Sequence, residues 1–311
     1  SYSVESNKNS STEESAQDNQ SSVSPSSNEI SSEATNSSDT YSSSPTSSSS
    51  ADETQLSSIA KEEPEQFNEQ LNESILATEK LPFLFDNKSR YPDDEVYIAR
   101  MANAAPDDGF TNGAWLDIKT GQVRPMLFSD NTLNGPNEGS GDWKYVDCFT
   151  KLSDIPDKTI AMPRLTSAKM FIAFKNPLYL HFHQSGGYAQ PNLSNPTDPS
   201  TGVRFEAIEL NTSGFLVSNG IWVNTSRVDS YQYAMGIEVF GMDVSGVGGT
   251  YRKVGEIITH DEILERWRST VSAPFQNCYI DGVHDQDAII MQPSKIEAFT
   301  EGGPYHDFFD A

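Results

Sequence analysis

The sequence predicts a mainly β protein with three parts. These are a disordered tail over residues 1–78, a β-barrel or β-sandwich domain over residues 79–235, and a smaller mixed α/β domain over residues 236–311. The tail is rich in Ser and almost without aromatic residues. The segment after it alternates short Val-, Ile- and Phe-rich runs with turn residues, and one helical pattern appears only after residue 258.

The predicted tail carries half of the charge of the chain. Its net charge is −12 of a total of −24, and its aromatic residues are Tyr2, Tyr41 and Phe67. Such a segment cannot bury enough apolar surface to offset the entropy of its chain. Its composition is typical of an extracellular linker or cell-surface stalk, although a disordered tail without a role explains it equally well. Because the chain begins at Ser1, we expect that a preceding segment has been removed.

The acidic character of the chain argues against two classes of partner. Nucleic acids need clustered Lys and Arg side chains, and anionic membranes repel a protein of net charge −24. The sequence contains no apolar run of the length that a membrane-spanning helix needs, so we expect no membrane insertion. A neutral polymer is the more suitable partner.

The predicted strands share a high content of Val, Ile, Phe and Tyr and are bounded by Gly, Pro, Asn or Asp. In chain order they are LPFLFDN (81–87), EVYIARMAN (95–103), AWLDI (114–118) in a hairpin around Gly121, KYVDCFTKL (144–152), TIAMPRL (159–165), AKMFIAF (168–174), LYLHFHQ (178–184) and YAMGIEVFGMD (233–243). Residues 186–202 form a Pro-, Gly- and Asn-rich loop of the kind that often carries function.

A helix is predicted over residues 259–271. Apolar residues at Ile263, Leu264, Trp267 and Val271 follow the helical period. Candidate N-caps are Thr259 and Asp261. The final DFFDA has no polar tail, so we expect the natural chain to continue beyond Ala311.

Cysteine and histidine give little support for a disulfide framework or a metal site. Cys148 and Cys278 could form one disulfide or remain free thiols, and the sequence does not distinguish these alternatives. His181 and His183 would share a strand face, which is compatible with a metal, but no third ligand has a telling spacing. We therefore favour a half-exposed strand face and expect no metal and no cofactor.

The most informative stretch for function is ELNTSGFLVSNGIWVNTSRVD (209–229). It contains Glu209 and Asp229, the two carboxylates that glycoside hydrolysis requires. Asn219-Gly220 predicts a two-residue hairpin turn, so that Asp229 pairs with Leu210, next to Glu209. In a regular hairpin the carboxylates would then point to opposite faces, and a bulge or strong twist would have to bring them together.

Other side chains in the same stretch suit a sugar-binding surface. Trp222 could stack on a sugar ring or belong to the core. Asn224, Thr225 and Ser226 could bind hydroxyl groups or be ordinary surface strand residues. The carboxylates, taken alone, are most often solvated strand and turn residues.

Several segments in order resemble glycoside hydrolase family 64, the β-1,3-glucanases that release laminaripentaose. They are LPFLFDN, TIAMPRLTSAKMFIAF, NPTDPSTGVRFEAIEL, WVNTSRVD and IIMQPSKIEAFTEGGPYHDFF, and the resemblance spans residues 80–311. It implies a thaumatin-like fold, in which a β-barrel domain and a smaller mixed α/β domain enclose a wide groove. It also implies an inverting, metal-independent enzyme.

The resemblance assigns roles to particular residues. Glu209 matches the catalytic general acid and Asp229 the general base, while Trp222, Asn224 and Ser226 match positions that line the sugar cleft. Two departures stand out. The Glu-to-Asp spacing is longer than in the family by about four residues, and a hairpin can absorb this difference if the insertion is even. In addition, Asn211 stands where the family usually has a threonine.

The sequence therefore predicts a secreted or cell-surface, monomeric inverting endo-β-1,3-glucanase that acts on β-1,3-glucan such as laminarin or curdlan. Glu209 is expected to occupy a less solvated, more apolar setting than Asp229, because the acid must retain its proton. The alternative is a non-catalytic β-glucan-binding or cell-surface adhesion module on a thaumatin-like scaffold.

Overall fold

The computed structural model describes residues 79–136, 143–216, 220–242, 249–282 and 286–309. These described residues belong to one compact unit. The predicted tail over residues 1–78, Asn219 of the predicted turn and the chain end at Ala311 lie outside the described residues. The predicted domain boundary after residue 235 stays a prediction.

The described residues form mostly short strands. In chain order these are β1 Leu81–Leu84, β2 Val96–Ala102, β3 Ala114–Asp117, β4 Gln122–Pro125, β5 Asn131–Asn134, β6 Lys144–Val146, β7 Thr150–Lys151, β8 Thr159–Met162, β9 Ala168–Phe174, β10 His181–Phe182, β11 Tyr188–Ala189, β12 Arg204–Gly214, β13 Gly220–Ser226, β14 Ser230–Tyr231, β15 Gly236–Met242, β16 Gly249–Gly255, β17 Tyr279–Ile280 and β18 Ile289–Met291.

Helical structure is limited to one α-helix and several 3-10 turns in the described residues. The α-helix is α1, His260–Thr270. The 3-10 turns are Asp93–Glu95, Pro106–Asp108, Phe128–Asp130, Leu152–Asp154, Pro156–Lys158, Ala273–Cys278, Pro293–Lys295, Glu297–Phe299 and His306–Phe309. The mainly β class is confirmed, and the thaumatin likeness stays a prediction.

A seven-stranded antiparallel sheet organises the molecule. Its order is β13-β12-β9-β2-β3-β4, and β7 also pairs with β2. Two- and three-stranded sheets lie outside it, made by β1 and β8, β5 and β6, β10 and β11, β15 and β16, and β14 with β18 and β17. The predicted hairpin around Gly121 is confirmed, since Asp117 pairs with Gln122 and Gly121 has φ 70°.

Apolar side chains cover both faces of the central strands. Ala99 and Phe171 belong to one core cluster and Ile98 and Met170 to a second, because successive strand residues project to opposite faces. Towards the edge the sheet becomes accessible, and β13 contains no fully buried residue. Polar side chains on β12 and β13 can therefore meet a ligand while β9 and β2 hold the strands in place.

The predicted helix is confirmed. The Thr259 hydroxyl accepts a hydrogen bond from the backbone N–H of Glu262 at 3.3 Å, so Thr259 is the N-cap of α1 and Asp261 lies in its first turn. Leu264 is buried against the remainder of the fold. Among the described residues, no helix has the length and apolar character needed to cross a bilayer.

The cysteine alternatives are resolved in favour of two thiols. Cys148 and Cys278 are both free and both buried. Burial raises the pKa of both thiols, and that of Cys148 well above its ordinary value. Both cysteines therefore act as small apolar side chains in the interior.

Candidate active site

Glu209 lies in the middle of β12, and its pairing partners define the face to which it projects. Residues directly opposite each other in an antiparallel pair share a face of the sheet. Glu209 is opposite Asn224 on β13 and opposite Lys169 on β9. Ala207 and Asn211, two positions away along β12, project to the same face.

The Glu209 carboxylate has polar partners on both neighbouring strands. It accepts a hydrogen bond from the Ser226 hydroxyl at 3.0 Å and from the Asn224 amide at 3.3 Å. The Lys169 ammonium lies 3.8 Å from the same carboxylate and donates to the Gln190 side-chain oxygen at 3.1 Å. Of the predicted site residues, Glu209, Asn224 and Ser226 are thus in direct contact.

Asp229 does not lie where the predicted hairpin places it. Paired residue numbers on β12 and β13 sum to 433, as in Glu209 with Asn224, and not to the 439 that a turn at Asn219-Gly220 requires. The predicted pairing of Asp229 with Leu210 is therefore wrong. β13 ends at Ser226, and Asp229 follows it in a separate connection.

The position of the turn explains the error. β12 ends at Gly214 and β13 begins at Gly220, so residues 215–219 connect the strands instead of two residues. Phe215 is buried, and its backbone N–H donates to the Thr212 carbonyl at 3.1 Å. Because the Phe215 ring is buried, the chain turns earlier than Asn219-Gly220 predicts.

Residues from the C-terminal part of the chain hold Asp229 in place. Its carbonyl accepts a hydrogen bond from the backbone N–H of Gln292 at 2.9 Å, and its carboxylate lies 3.3 Å from the Lys295 ammonium. The next residue, Ser230, pairs with Met291 in the β14–β18 ladder. The base predicted from the sequence is therefore placed by residues about sixty positions later in the chain.

A small cavity joins Asp229 to the partners of Glu209. Its volume is about 50 Å³, which suffices for water molecules. Lys169 and Ser226, both in contact with Glu209, line this cavity together with Asp229. Its other walls are Phe171, Gln190, Pro191, Leu193, Phe205, Glu206, Ala207, Val228, Ser230 and Gln232.

A larger concavity, about 560 Å³, lies elsewhere, along α1 and the turn that follows it. It is shallow, and Asp261, Glu265 and Arg268 are among its charged lining residues. No residue of β12 or β13 lines it. Size alone would favour this surface, but Asp229 and two polar partners of Glu209, Lys169 and Ser226, line the smaller cavity.

The two carboxylates are equally accessible. The exposed fraction of the side chain is 48% for Glu209 and 48% for Asp229. The expectation that Glu209 is less solvated than Asp229 is therefore wrong for the protein without a ligand. The neighbouring edge strand explains this result, because β13, which pairs with β12 beside Glu209, contains no fully buried residue.

Trp222 and Asn211 face each other across the hairpin. Trp222 is 71% exposed, so it belongs to the surface and not to the core. The Asn211 side-chain oxygen accepts hydrogen bonds from the backbone N–H and the hydroxyl of Ser213, at 3.0 and 2.8 Å. This oxygen is thereby engaged within the last residues of β12, where the register with β13 shifts.

A buried charge network behind the site was not predicted. The Arg227 guanidinium contacts the carboxylates of Glu206 and Glu256. Burial raises the pKa of Glu206 to about 7, although Arg227 and two backbone N–H groups favour its charged form. Burial also opposes ionisation of Glu256, but hydrogen bonds from Arg227 and from Met235 N–H outweigh it and lower the pKa of Glu256.

The position of Glu206 in the sequence could have indicated this network. Arg204, Glu206, Ile208 and Leu210 occupy alternate positions of one strand and are all buried. A charged residue within an otherwise apolar strand face needs a partner of opposite charge. Arg227, near the predicted base, was available for that role.

The histidines do not form a metal site with other described residues. His181 is buried, with its Nδ1 atom 2.7 Å from the Lys144 carbonyl oxygen, while His183 is exposed. The half-exposed strand face predicted for both is therefore wrong, because β10 ends at Phe182 and His183 follows it. No group of three or more His, Cys, Asp or Glu residues in the described part of the chain could hold a metal ion.

Residues 80–311 match the sequence model of glycoside hydrolase family 64, described as beta-1,3-glucanase. The chain belongs to this family. No curated protein matches the chain.

Solved structures of the same family show a similar fold. A beta-1,3-glucanase domain (GH64) from Clostridium beijerinckii has 28% identity and a TM-score of 0.57, over 72% of this chain and 56% of that chain. A laminaripentaose-producing beta-1,3-glucanase from Paenibacillus barengoltzii has 24% identity and a TM-score of 0.57, over 72% of this chain and 50% of that chain. The structure of the Paenibacillus enzyme complexed with laminarihexaose has 24% identity and a TM-score of 0.56, over 70% and 48%. This chain thus spans about half the length of these proteins.

Proposed function

We propose that this protein is an inverting endo-β-1,3-glucanase that hydrolyses β-1,3-glucan, with Glu209 as the general acid and Asp229 as the general base. The observation that carries the proposal is the shared cavity. Side chains that contact Glu209 line the same space as Asp229, and this space has room for water. Membership of a family described as beta-1,3-glucanase, together with its solved structures, supports the choice of substrate.

In this mechanism Glu209 donates a proton to the leaving glycosidic oxygen. Asp229 accepts a proton from a water molecule, which attacks the anomeric carbon from the opposite face of the sugar. The bond from the anomeric carbon to the leaving oxygen breaks as the bond to the water oxygen forms. A bound glucan would exclude water from the exposed Glu209 carboxyl and so favour its protonated form.

Substrate binding is assigned to the same face of the hairpin. Trp222, 71% exposed, provides a stacking surface for a sugar ring. Asn224 and Ser226 orient the acid through their hydrogen bonds to Glu209. The Asn211 amide lies opposite Trp222 and suits a sugar hydroxyl.

The primary test compares the unchanged chain with Glu209→Gln and Asp229→Asn in hydrolysis of laminarin and curdlan. Each variant keeps the size of the side chain and removes its acid–base function, so we expect activity to fall by about a hundredfold or more. Glu265→Gln, an exposed carboxylate on α1, is the matched control and should retain full activity. Unchanged hydrolysis by Glu209→Gln would refute the assignment of the acid.

Stereochemistry tests the inverting mechanism separately. Proton NMR during early hydrolysis should show the α-anomer of the new reducing end, because inversion converts the β-linkage. Initial formation of the β-anomer would instead indicate retention.

A β-glucan-binding or adhesion module is the second candidate. The exposure of Trp222 and of both carboxylates favours a surface that binds a polymer without enclosing it. Co-sedimentation with curdlan without release of reducing ends would support this function and exclude hydrolysis.

The location and assembly of the protein form part of the proposal. Polymeric glucan is met outside the cell, and the Ser-rich segment over residues 1–78 suits a linker at the surface. We therefore propose a secreted or cell-surface monomer. Fractionation of the native source and light scattering of the purified protein would test these two statements.

A further inference from the structure

Arg227 lies between Ser226, which contacts the acid, and Asp229, the base. Its Nε atom donates to both carboxylate oxygens of Glu206, at 3.3 Å each. Its two terminal nitrogens donate to the carboxylate of Glu256, Nη2 to Oε2 at 2.9 Å. One guanidinium thus holds two carboxylates from different parts of the chain, an arrangement that its planar geometry favours.

Glu206 also attaches β12 to the chain beyond Asp229. Its Oε1 atom accepts hydrogen bonds from the backbone N–H groups of Gln232 and Tyr233, both at 2.8 Å. The Gln232 side chain returns to β12, where its oxygen accepts from the backbone N–H of Phe205 at 2.9 Å. Segment 227–233 is therefore fixed to β12 at its beginning and at its end, with Asp229 between the two attachments.

Glu206 and Glu209 lie three positions apart on β12, so they project to opposite faces. The Glu206 side chain is only 2% exposed, and both of its carboxylate oxygens are hydrogen-bonded to Arg227. Its bonds nevertheless determine how far the segment that carries Asp229 stands from the strand that carries Glu209. In an inverting hydrolase this separation must leave room for one water molecule.

We propose that Glu206 is a positioning residue, which, with Arg227 and Glu256, sets the location of Asp229 relative to Glu209. We name these three residues the clamp. The inference rests on the proposed function, because it assigns a catalytic consequence to a buried network.

The test is Glu206→Asp in the full chain. Aspartate keeps the charge and shortens the side chain by one methylene, so segment 227–233 must shift towards β12 to keep its bonds. We expect kcat on laminarin to fall by about tenfold or more, since displacements near 1 Å can cost that much or more. KM should change by less than about twofold, because Trp222 and Asn224 are not attached to the clamp.

Arg227→Lys is the second variant. Lysine keeps the charge but cannot hold both carboxylates with a planar fork, and we expect the same loss in kcat with unchanged KM. Asp117→Asn is the matched control, since Asp117 pairs with Arg124 at 3.0 Å at the other edge of the sheet. Activities are compared per folded molecule, after thermal unfolding has shown the folded fraction of each variant.

The outcomes separate the two proposals. If the unchanged chain hydrolyses laminarin and both clamp variants match its kcat, the positioning role is refuted and the proposed function stands. If the unchanged chain is inactive, the proposed function fails, and hydrogen exchange then decides whether the clamp holds segment 227–233. Faster exchange of Gln232 and Tyr233 in Glu206→Asp than in Asp117→Asn supports the clamp, and equal exchange refutes it.

Discussion

The carboxylate of Glu209 has both a cation and neutral donors as neighbours. Lys169 lies 3.8 Å from this carboxylate, and Ser226 and Asn224 donate hydrogen bonds to it. A general acid must carry a proton when the substrate is bound. Under the proposed mechanism, the glucan must therefore supply part of the desolvation that keeps the proton on Glu209, which links acid strength to substrate binding.

Glu206 should make stability depend on pH. Burial raises its pKa from the ordinary 4.5 to about 7, so the folded protein holds this proton more tightly than the unfolded chain does. The resulting stabilisation is present below about pH 4.5 and is lost as the pH rises through 7, a change on the order of 3 kcal/mol. Urea unfolding of Glu206→Gln at about pH 4.5 and about pH 8 should show a smaller difference than the unchanged chain. An identical pH dependence would contradict this prediction.

Trp222 should affect binding and not folding. Replacement by alanine removes an exposed ring, so we expect the free energy of unfolding to change by less than about 0.5 kcal/mol. Affinity for laminari-oligosaccharides should fall by about 1 kcal/mol, or roughly fivefold in Kd, by calorimetry. Trp143→Ala is the control, because Trp143 is also exposed but packs beside His181. Equal loss in both variants would argue against a specific stacking role for Trp222.

Among the elements, β12 contributes residues to both the proposed active site and the core. Its inward positions bury Glu206 and Ile208, while its other face presents Glu209 between β9 and β13. Thr212 fixes its end, since its hydroxyl accepts from Leu165 N–H at 2.9 Å and donates to the Pro163 carbonyl at 2.7 Å. One strand thus combines the proposed acid Glu209, the clamp residue Glu206 and the anchor of the hairpin, Thr212.

Replacement of Thr212 by valine should destabilise the fold. Valine has the same shape but leaves the buried Leu165 N–H without its acceptor, which costs about 1–3 kcal/mol. The free energy of unfolding from urea titration measures the loss. Thr201→Val, at an exposed turn, should stay within about 0.5 kcal/mol of the unchanged chain. A neutral Thr212→Val would show that this bond does not stabilise the hairpin end.

The sequence allowed most strands and the helix to be predicted, because β-branched and aromatic runs, Gly121 and the Thr259 cap are local signals. The strand predicted over residues 144–152 is instead divided into β6 and β7, and the one predicted over residues 178–184 is limited to His181–Phe182. The β12–β13 register was not predictable in the same way. It depends on burial of Phe215 in a core that residues distant in the chain complete. Likewise, Asp229 is placed by Gln292 and by pairing of β14 with β18, which no local pattern reveals.

For the whole molecule, the thiols provide a test of the buried core. Cys148 and Cys278 are free, and burial raises the pKa of both. A thiol reagent should therefore label neither residue in the folded protein and both in denaturant. Omitting reductant should leave the melting temperature unchanged. Labelling of either cysteine under native conditions would show that the interior opens.

The position of β9 between β2 and β12 also bears on how fast the molecule can form. The hairpins β3–β4 and β12–β13 join neighbours in sequence, whereas pairing of Val96 with Phe174 closes a loop of roughly 75 residues. Contacts of such long range slow folding, so assembly should take milliseconds to seconds. β9, which lies beside the proposed acid Glu209, is thus completed late, when β2 pairs with it. Until then newly made chains expose an unpaired strand edge, which chaperones can bind.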